Sequence, residues 1–172
     1  MKKIILGIDP GSRITGFGVI SVDGDHIEHL DHGLIRLKEE WSLPERLKCL
    51  NFELQHIYAQ FKIHTTAVEK IFFGKNADSA FKLGHARGVC LMVASQNASI
   101  VAEYAARYVK KCVTGSGAAS KDHVQMVVFS LLGLKLQKLA FDATDALSLA
   151  ITHARVDEVS VRVKKAMEVE GL

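Results

Sequence analysis

The sequence predicts an α/β protein with a five-stranded mixed sheet flanked by helices on both faces. The first part of the chain contains three apolar or alternating runs separated by tight-turn signals, which is typical of an antiparallel meander. Beyond this meander, segments with helical spacing alternate with two further β-branched runs, which favours parallel strands joined by helices. The length of 172 residues suits one domain, and we expect a single domain over 1–172.

Three strands open the chain. The apolar run from Lys3 to Ile8 ends at an aspartate and a Pro-Gly pair, so it predicts a buried strand followed by a turn. The alternating run from Thr15 to Val22 predicts the second strand. The stretch VDGDH contains an Asp-Gly hairpin signal, and the residues from Ile27 to Leu37 predict the third strand.

Helices and the two remaining strands follow. Ser42 is a candidate N-cap for a helix whose leucines recur at helical spacing, and Asn76 is a candidate N-cap for a second, longer helix. The stretch TTAVEKIFF, between these helices, predicts the fourth strand. The rest of the chain predicts a short strand and a helix in ASIVAEYAARYVKKCV, a loop in TGSGAAS, a helix in KDHVQMVVFSLLGL, and a long helix from about Asp142.

Composition narrows the cellular setting. The three cysteines are far apart and odd in number, which favours a reducing compartment without a disulfide framework or a zinc knuckle. The opening MKKIILGID breaks at an aspartate and is too short for a signal-peptide core or a membrane span. We therefore expect a cytoplasmic protein with no membrane association. The net charge of +3 permits nucleic-acid binding without arguing for it.

Four carboxylates are candidates for a catalytic metal site: Asp9, Glu69, Asp142 and Asp145. Each has an ordinary explanation when taken alone, as a turn residue, an edge-strand residue or a helix cap. The last two are three residues apart on one helical face, and all three segments are predicted to meet at the centre of the sheet. Carboxylates ~4 Å apart repel by roughly 4 kcal/mol at an effective dielectric of 20, so such a cluster should protonate or bind cations. Oxygen-only ligation selects Mg²⁺ or Mn²⁺, which suit two-metal phosphodiester hydrolysis.

Glycines surround the first of these carboxylates in the sequence. Gly11, Gly16 and Gly18 follow Asp9 within the turn and the second strand. Because glycine has no side chain, we expect backbone or a phosphate to approach closely at these positions.

The segments around these residues resemble the RuvC-type Holliday-junction resolvases, a family of the RNase H-like superfamily. GIDPGSRITGFGV is similar to the first metal motif of the family, and VEKIFFGKNADSAFKLGHARG to the second carboxylate with the helix that follows it. EYAARYVKKCVTGSGAASKDHVQ resembles its basic segment, and DATDALSLAITH its last acidic pair. The resemblance covers nearly the whole chain and keeps the spacing between motifs, which makes it specific.

The resemblance implies an RNase H-like fold and a Mg²⁺-dependent endonuclease that nicks two strands of a four-way DNA junction in recombination and repair. It assigns metal binding and catalysis to Asp9, Glu69, Asp142 and Asp145, with two Mg²⁺ ions for each active site and Mn²⁺ as a substitute. It also implies a homodimer, and partnership with the RuvA and RuvB branch-migration proteins.

Five further residues are candidates for DNA contacts. Lys110 and Lys121 bracket the glycine-rich loop, and the charge of Lys121 at the start of a helix opposes the helix dipole, a conflict that a phosphate would relieve. The resemblance gives both lysines phosphate contacts near the active site. It also suggests that Phe72 stacks on an unpaired base, and Lys75 and Asn76 are candidates for contacts with the DNA backbone in the same loop.

The long second helix has more apolar sides than one sheet can cover. Ala77, Ala80, Gly84 and Gly88 form a stripe of small residues, and each glycine costs a helix interior up to ~1 kcal/mol relative to alanine. Close approach of another helix would compensate, and the pattern leaves open whether that helix belongs to the same chain or to a second copy. The resemblance favours a twofold dimer packed through this helix.

Two other functions are compatible with parts of the pattern. GIDPGSRITGFGV also resembles the phosphate loop of the actin, Hsp70 and sugar-kinase ATPases, although those proteins enclose the nucleotide between two such domains and lack the Asp142–Asp145 pair. A junction-binding protein without catalysis is the other alternative, which the presence of four carboxylates disfavours.

Overall fold

Five strands and five helices follow one another in the predicted order in the computed structural model, which describes residues 2–71, 77–98, 100–135 and 139–169. The strands are β1 (Lys3–Asp9), β2 (Ile14–Asp23), β3 (His26–Arg36), β4 (Thr65–Lys70) and β5 (Ile100–Ala105). The helices are α1 (Leu43–Gln60), α2 (Ala77–Asn97), α3 (Ala106–Thr114), α4 (Lys121–Leu132) and α5 (Phe141–Val169).

The strands form one mixed sheet in the order β3-β2-β1-β4-β5, so the predicted five-stranded mixed sheet is confirmed. β1, β2 and β3 pair antiparallel, while β1, β4 and β5 pair parallel. The predicted Asp-Gly hairpin joins β2 to β3, and Gly24 adopts a φ of 58°, a conformation in which glycine carries no Cβ penalty. β1 is therefore the central strand, with an antiparallel neighbour on one side and a parallel neighbour on the other.

Helices cover both faces of this sheet, as predicted. α1 and α2 pack on one face through buried side chains that include Leu50, Leu54, Ala86 and Cys90. α3, α4 and α5 pack on the other face, where most residues from Ala143 to Ala154 are buried. Each face has its own core, and β1 contributes alternate residues to both of them.

Helix α1 begins where the sequence predicts. Ser42 is its N-cap residue, and the Glu45 carboxylate accepts hydrogen bonds from the Ser42 backbone N–H (2.7 Å) and from the Ser42 hydroxyl (2.6 Å). Pro44 lies within the first turn, where its missing N–H costs no helical hydrogen bond.

The fourth strand is shorter than predicted. We expected it to continue through Phe73, but β4 ends at Lys70. Its parallel partner β5 ends opposite that residue, at Ala105, and the chain turns directly into α3. Beyond this point β5 offers no ladder partner, so Ile71 lies outside the strand. Phe72, Phe73 and Asn76 lie outside the described residues.

Within the described ranges, none of the helices combines the length and the apolar character that crossing a membrane requires.

Candidate active site

Two of the predicted carboxylates meet at the carboxyl ends of β1 and β4. The parallel register pairs Ile8 with Val68, so Asp9 and Glu69 occupy the next positions on adjacent strands. Both side chains are partly buried, and they share a hydrogen bond. The central pair of parallel strands thus brings together residues that are 60 positions apart in the sequence.

Helix α5 brings the other two carboxylates to the same place. Asp142 lies in its first turn, and Asp145 follows three residues later, with both side chains partly buried. The charges of Asp142, Asp145 and Glu69 all act on Asp9. The structure therefore places the four predicted residues close enough for their charges to act on one another, and we call them the carboxylate cluster (Asp9, Glu69, Asp142 and Asp145).

Glycines in the sheet allow α5 to lie against it. A Cβ at Gly7 would overlap the carbonyl oxygen of Ala146, and a Cβ at Gly16 would overlap that of Asp142. Gly18 similarly leaves space for Leu147. The expected close approach at Gly16 and Gly18 is thus made by α5 rather than by a phosphate, and Gly11 leaves room only for the Ile14 carbonyl of its own turn.

The cluster disfavours additional negative charge. The pKa of Asp9 is raised from 3.8 to about 9, first by burial, then by the hydrogen bond with Glu69 and by the charges of the other carboxylates. At neutral pH the metal-free Asp9 side chain therefore keeps a proton and is hydrogen-bonded to Glu69. A metal ion bound by Asp9 would therefore have to displace this proton.

Lys121 places a positive charge beside the carboxylate cluster. Its Nζ lies 3.2 Å from Oδ2 of Asp145 and 5.5 Å from the centre of the Phe141 ring. Burial alone would lower the pKa of Lys121, but the charge and hydrogen bond of Asp145, with the charges of Asp142 and Asp9, outweigh it and raise the pKa. The expected conflict with the helix dipole is thus relieved by a carboxylate of the cluster.

The donor set suits a hard divalent cation, since all four side chains offer only oxygen atoms. Among the residues that the structure describes, however, no three His, Cys, Asp or Glu side chains are arranged so that they could hold a metal ion together. The physical reason is visible in the cluster itself. Asp9 is protonated and hydrogen-bonded to Glu69, and Asp145 faces the ammonium of Lys121, so these carboxylates already have partners.

The second predicted lysine has a different position. Lys110 donates from Nζ to the carbonyl oxygen of Ala119 at 3.0 Å, which ties α3 to the end of the glycine-rich loop. Its phosphate contact stays a prediction. Phe72, Lys75 and Asn76 lie outside the described residues, so their DNA contacts also stay predictions.

Sequence reasoning did not identify Arg87 as a neighbour of the site. This α2 residue donates from Nε to the backbone carbonyl of Glu69 at 3.2 Å and forms an ion pair with Glu103 on β5. It therefore joins α2 to the end of the strand that carries Glu69. An arginine on a largely apolar helix was the available signal, but only the fold shows which carbonyl it reaches.

The outward side of α2 contacts no other described element at its glycines. A Cβ at Gly84 or Gly88 would meet nothing within 4 Å. Phe81 is 70% exposed and Met92 is 46% exposed on the same side. Among the described residues, the explanation that Gly84 and Gly88 admit another helix of the same chain is therefore wrong.

Comparison with known proteins gives a consistent result. The family model described as "Crossover junction endodeoxyribonuclease RuvC" matches residues 5–153. A protein of that name from Bdellovibrio bacteriovorus is 49% identical over 154 residues, which are 90% of this chain and 91% of that protein. A second, from Vibrio atlanticus, is 51% identical over 160 residues, covering 92% and 91% of the two chains.

A solved structure agrees with these relatives. "T. thermophilus RuvC in complex with Holliday junction substrate" superposes with a TM-score of 0.86 at 30% identity, covering 92% of this chain and 96% of that one. The matched residues 5–153 include the whole carboxylate cluster and Lys121.

Proposed function

The chain belongs to the RuvC family of crossover junction endodeoxyribonucleases, and from this membership we propose that it resolves four-way DNA junctions in recombination and repair by paired nicks in strands of like polarity. The observation that carries the proposal is the carboxylate cluster at the carboxyl ends of the inner strands β1 and β4. There, burial and neighbouring carboxylates raise the pKa of Asp9 to about 9. The cluster's four side chains offer only oxygen ligands, which suit the hard divalent cations that metal-dependent phosphodiester cleavage uses.

The four carboxylates are the residues that would hold the metal. Two Mg²⁺ ions, for which Mn²⁺ can substitute, would supply a hydroxide nucleophile at neutral pH and charge stabilisation for the leaving oxygen. The chain must prepare the site for them in two ways. Asp9 would release its proton, and Lys121 would leave Asp145.

Lysines and the residues that follow β4 in the sequence would position the DNA. Lys121 lies close enough to the carboxylate cluster to bind a phosphate beside the scissile bond once Asp145 has another cationic partner. Lys110 holds the neighbouring loop and would contact the same strand. Phe72 would stack on an unpaired base at the junction, and Lys75 and Asn76 would contact the backbone nearby.

A homodimer would carry out the paired cleavage. The outward side of α2, where Gly84 and Gly88 leave space and Phe81 and Met92 are exposed, would pack against the same helix of a second copy. A twofold axis presents two identical sites to two strands of like polarity. Both active sites would then face the same side of the dimer.

The partner proteins and the cellular location are proposed from the family resemblance. RuvA and RuvB would deliver the junction, and the enzyme would act in the cytoplasm, where bacterial DNA is located. The chain's bacterial relatives carry the RuvC name, which supports this assignment.

A synthetic four-way junction with labelled strands tests the function. We expect the wild type with Mg²⁺ to produce two symmetric nicks, and the Asp9→Asn variant to bind the junction without cutting it. Asp157→Asn is the matched control, because Asp157 lies on α5 fifteen residues beyond Asp142, or about 22 Å along the helix.

Three outcomes would contradict the proposal. The wild type could leave the junction intact with Mg²⁺ and with Mn²⁺, which would indicate a binding protein. It could release phosphate from ATP, which would indicate the ATPase alternative. Cleavage by Asp9→Asn at the wild-type rate would remove the carboxylate cluster from the mechanism.

A further inference from the structure

A polar groove lies beside the carboxylate cluster and is used by none of the roles assigned above. Its cavity volume is about 280 Å³. The lining residues come from three separate segments of the chain, and those with charged or hydroxyl side chains include Ser12, Arg13, Glu39, Arg46, Asp78 and Lys82.

The groove lies near the carboxyl end of β1, where the carboxylate cluster also lies. Arg13 is four residues beyond Asp9, so the two Cα atoms are at most about 14 Å apart. Lys82 lies near the start of α2, the helix that follows the strand carrying Glu69. One DNA strand rises about 3.4 Å for each nucleotide, so the separation of at most about 14 Å between Asp9 and Arg13 corresponds to about four nucleotides.

The groove and Lys121 approach the cluster from opposite faces of the sheet. Arg46 and Lys82 belong to α1 and α2, which cover one face. Lys121 belongs to α4, which packs with α5 on the other face. A strand that crosses the cluster would therefore leave Lys121 on one side and reach the groove on the other.

Two of the three cations in the groove are paired with acids that a ligand can replace. Arg13 Nη1 lies 2.7 Å from Glu39 Oε1, with both side chains 65% exposed. Lys82 Nζ lies 2.6 Å from Asp78 Oδ2 on the surface of α2. Exposed pairs of this kind contribute only about 0–1 kcal/mol to stability, so exchanging the carboxylate for a phosphate costs little.

The third cation is already held in place. Arg46 is half-buried and donates from Nε to the carbonyl oxygen of Trp41 at 2.9 Å and from Nη2 to that of Glu39 at 3.4 Å. A guanidinium has five N–H donors, more than these two bonds use. Because its partners are neutral carbonyls, Arg46 keeps its full charge available to an anion.

We propose, on the basis of the nuclease function proposed above, that this groove binds the phosphodiester backbone of the cleaved strand within about four nucleotides of the scissile phosphate. Arg46 is the fixed anchor of the site. Arg13 and Lys82 turn from Glu39 and Asp78 to the phosphates when the strand enters.

Salt dependence of junction binding tests the groove directly. Fluorescence anisotropy in EDTA, where the strands stay uncut, gives the affinity of each variant between about 50 and about 200 mM salt. Arg46→Gln and Lys82→Gln should each lower the slope of log affinity against log salt by about 0.9, the value for one phosphate contact. Across that range the wild type should lose about 3.5-fold more affinity than either variant.

Matched changes separate a phosphate contact from a general loss of charge. Lys62→Gln removes the same charge from an exposed residue between α1 and the start of β4. This residue lies at the amino end of the strand whose other end carries Glu69, so the variant should keep the wild-type slope. Glu39→Gln frees Arg13 and should tighten binding. Phosphate ethylation interference should show contacts within about four nucleotides of the cut that Arg46→Gln loses.

The outcomes distinguish this site from the function on which it depends. Wild-type failure to bind the junction would overturn the nuclease proposal. Wild-type binding and cleavage, with slopes for Arg46→Gln and Lys82→Gln that equal the slope for Lys62→Gln, would overturn the groove alone. Thermal unfolding of each variant checks that a lost contact does not reflect lost folding.

Discussion

Nζ of Lys121 lies 3.2 Å from Oδ2 of Asp145, where the start of α4 meets the first turns of α5. The residue proposed to bind DNA is thus the counter-ion of a residue proposed to bind metal. Asp145 is 28% exposed in this pair and Lys121 is 52% exposed, so the ammonium can leave without crossing a buried region. The arrangement suits a lysine that neutralises the site until metal and DNA arrive together.

Removing this lysine should strengthen metal binding in the absence of DNA. The pair contributes at most about 1 kcal/mol, so Lys121→Ala should bind Mn²⁺ up to about fivefold more tightly than the wild type because Asp145 is free. Isothermal titration calorimetry of the DNA-free protein measures this. Lys111→Ala, an exposed lysine at the end of α3, is the control. Weaker or equal Mn²⁺ affinity in Lys121→Ala would show that Lys121 does not compete with metal.

The proton on the carboxylate cluster should make stability depend on pH. Between 3.8, the ordinary pKa of Asp9, and about 9, its pKa in the fold, the folded protein keeps a proton that the unfolded chain has released. The free energy of unfolding should therefore fall as pH rises through this window. Urea unfolding in EDTA should show this fall for the wild type and a flatter profile for Asp9→Asn.

Magnesium should reverse that trend, because it replaces the proton. Its stabilising effect on the wild type should grow from about pH 5 to about pH 9 and be lost in Asp9→Asn. A wild-type profile as flat as that of Asp9→Asn would mean that Asp9 titrates normally.

The contact between α5 and β2 should tolerate no side chain at Gly16. Gly16→Ala would place a methyl group against the Asp142 carbonyl and should destabilise the protein by roughly 1–3 kcal/mol while moving Asp142. Chemical denaturation gives the stability, and junction cleavage should fall with it. Gly84→Ala is the informative comparison, since a Cβ there meets nothing within 4 Å. If the protein is a monomer, Gly84→Ala should stabilise α2 by up to ~1 kcal/mol. If a second helix packs against Gly84, the same change should destabilise the protein.

The proposed dimer should depend on the outward side of α2. Gly88→Glu places a charge on that side without disturbing the fold of one chain, because a Cβ at Gly88 meets nothing within 4 Å. We expect the wild type to sediment as a dimer, and Gly88→Glu as a monomer that nicks the junction without paired resolution. A wild type that sediments as a monomer at micromolar concentration, both with and without DNA, would refute the dimer.

Most of the fold could be predicted from local apolar and turn patterns, and the carboxylate cluster from the spacing of its motifs. The strand limits from Lys3 to Arg36 agree with the apolar and turn signals to within about a residue at each end. The four carboxylates were identifiable because the spacing of their motifs resembles a family in which they meet. β4 was predicted too long because its end depends on where β5 stops, which its own sequence does not encode.

By itself the sequence determined the order of elements and the burial of the first strand, since burial periodicity and turn chemistry are local properties. The spacing of its motifs singled out the four carboxylates. Only the tertiary structure decided which charges face one another. Lys121 with Asp145, Arg87 with the Glu69 carbonyl, and the meeting of Arg13 and Lys82 in one groove all join distant segments. Side chains of this kind are placed by how helices pack on the sheet, and that packing depends on the whole core rather than on the residues beside them.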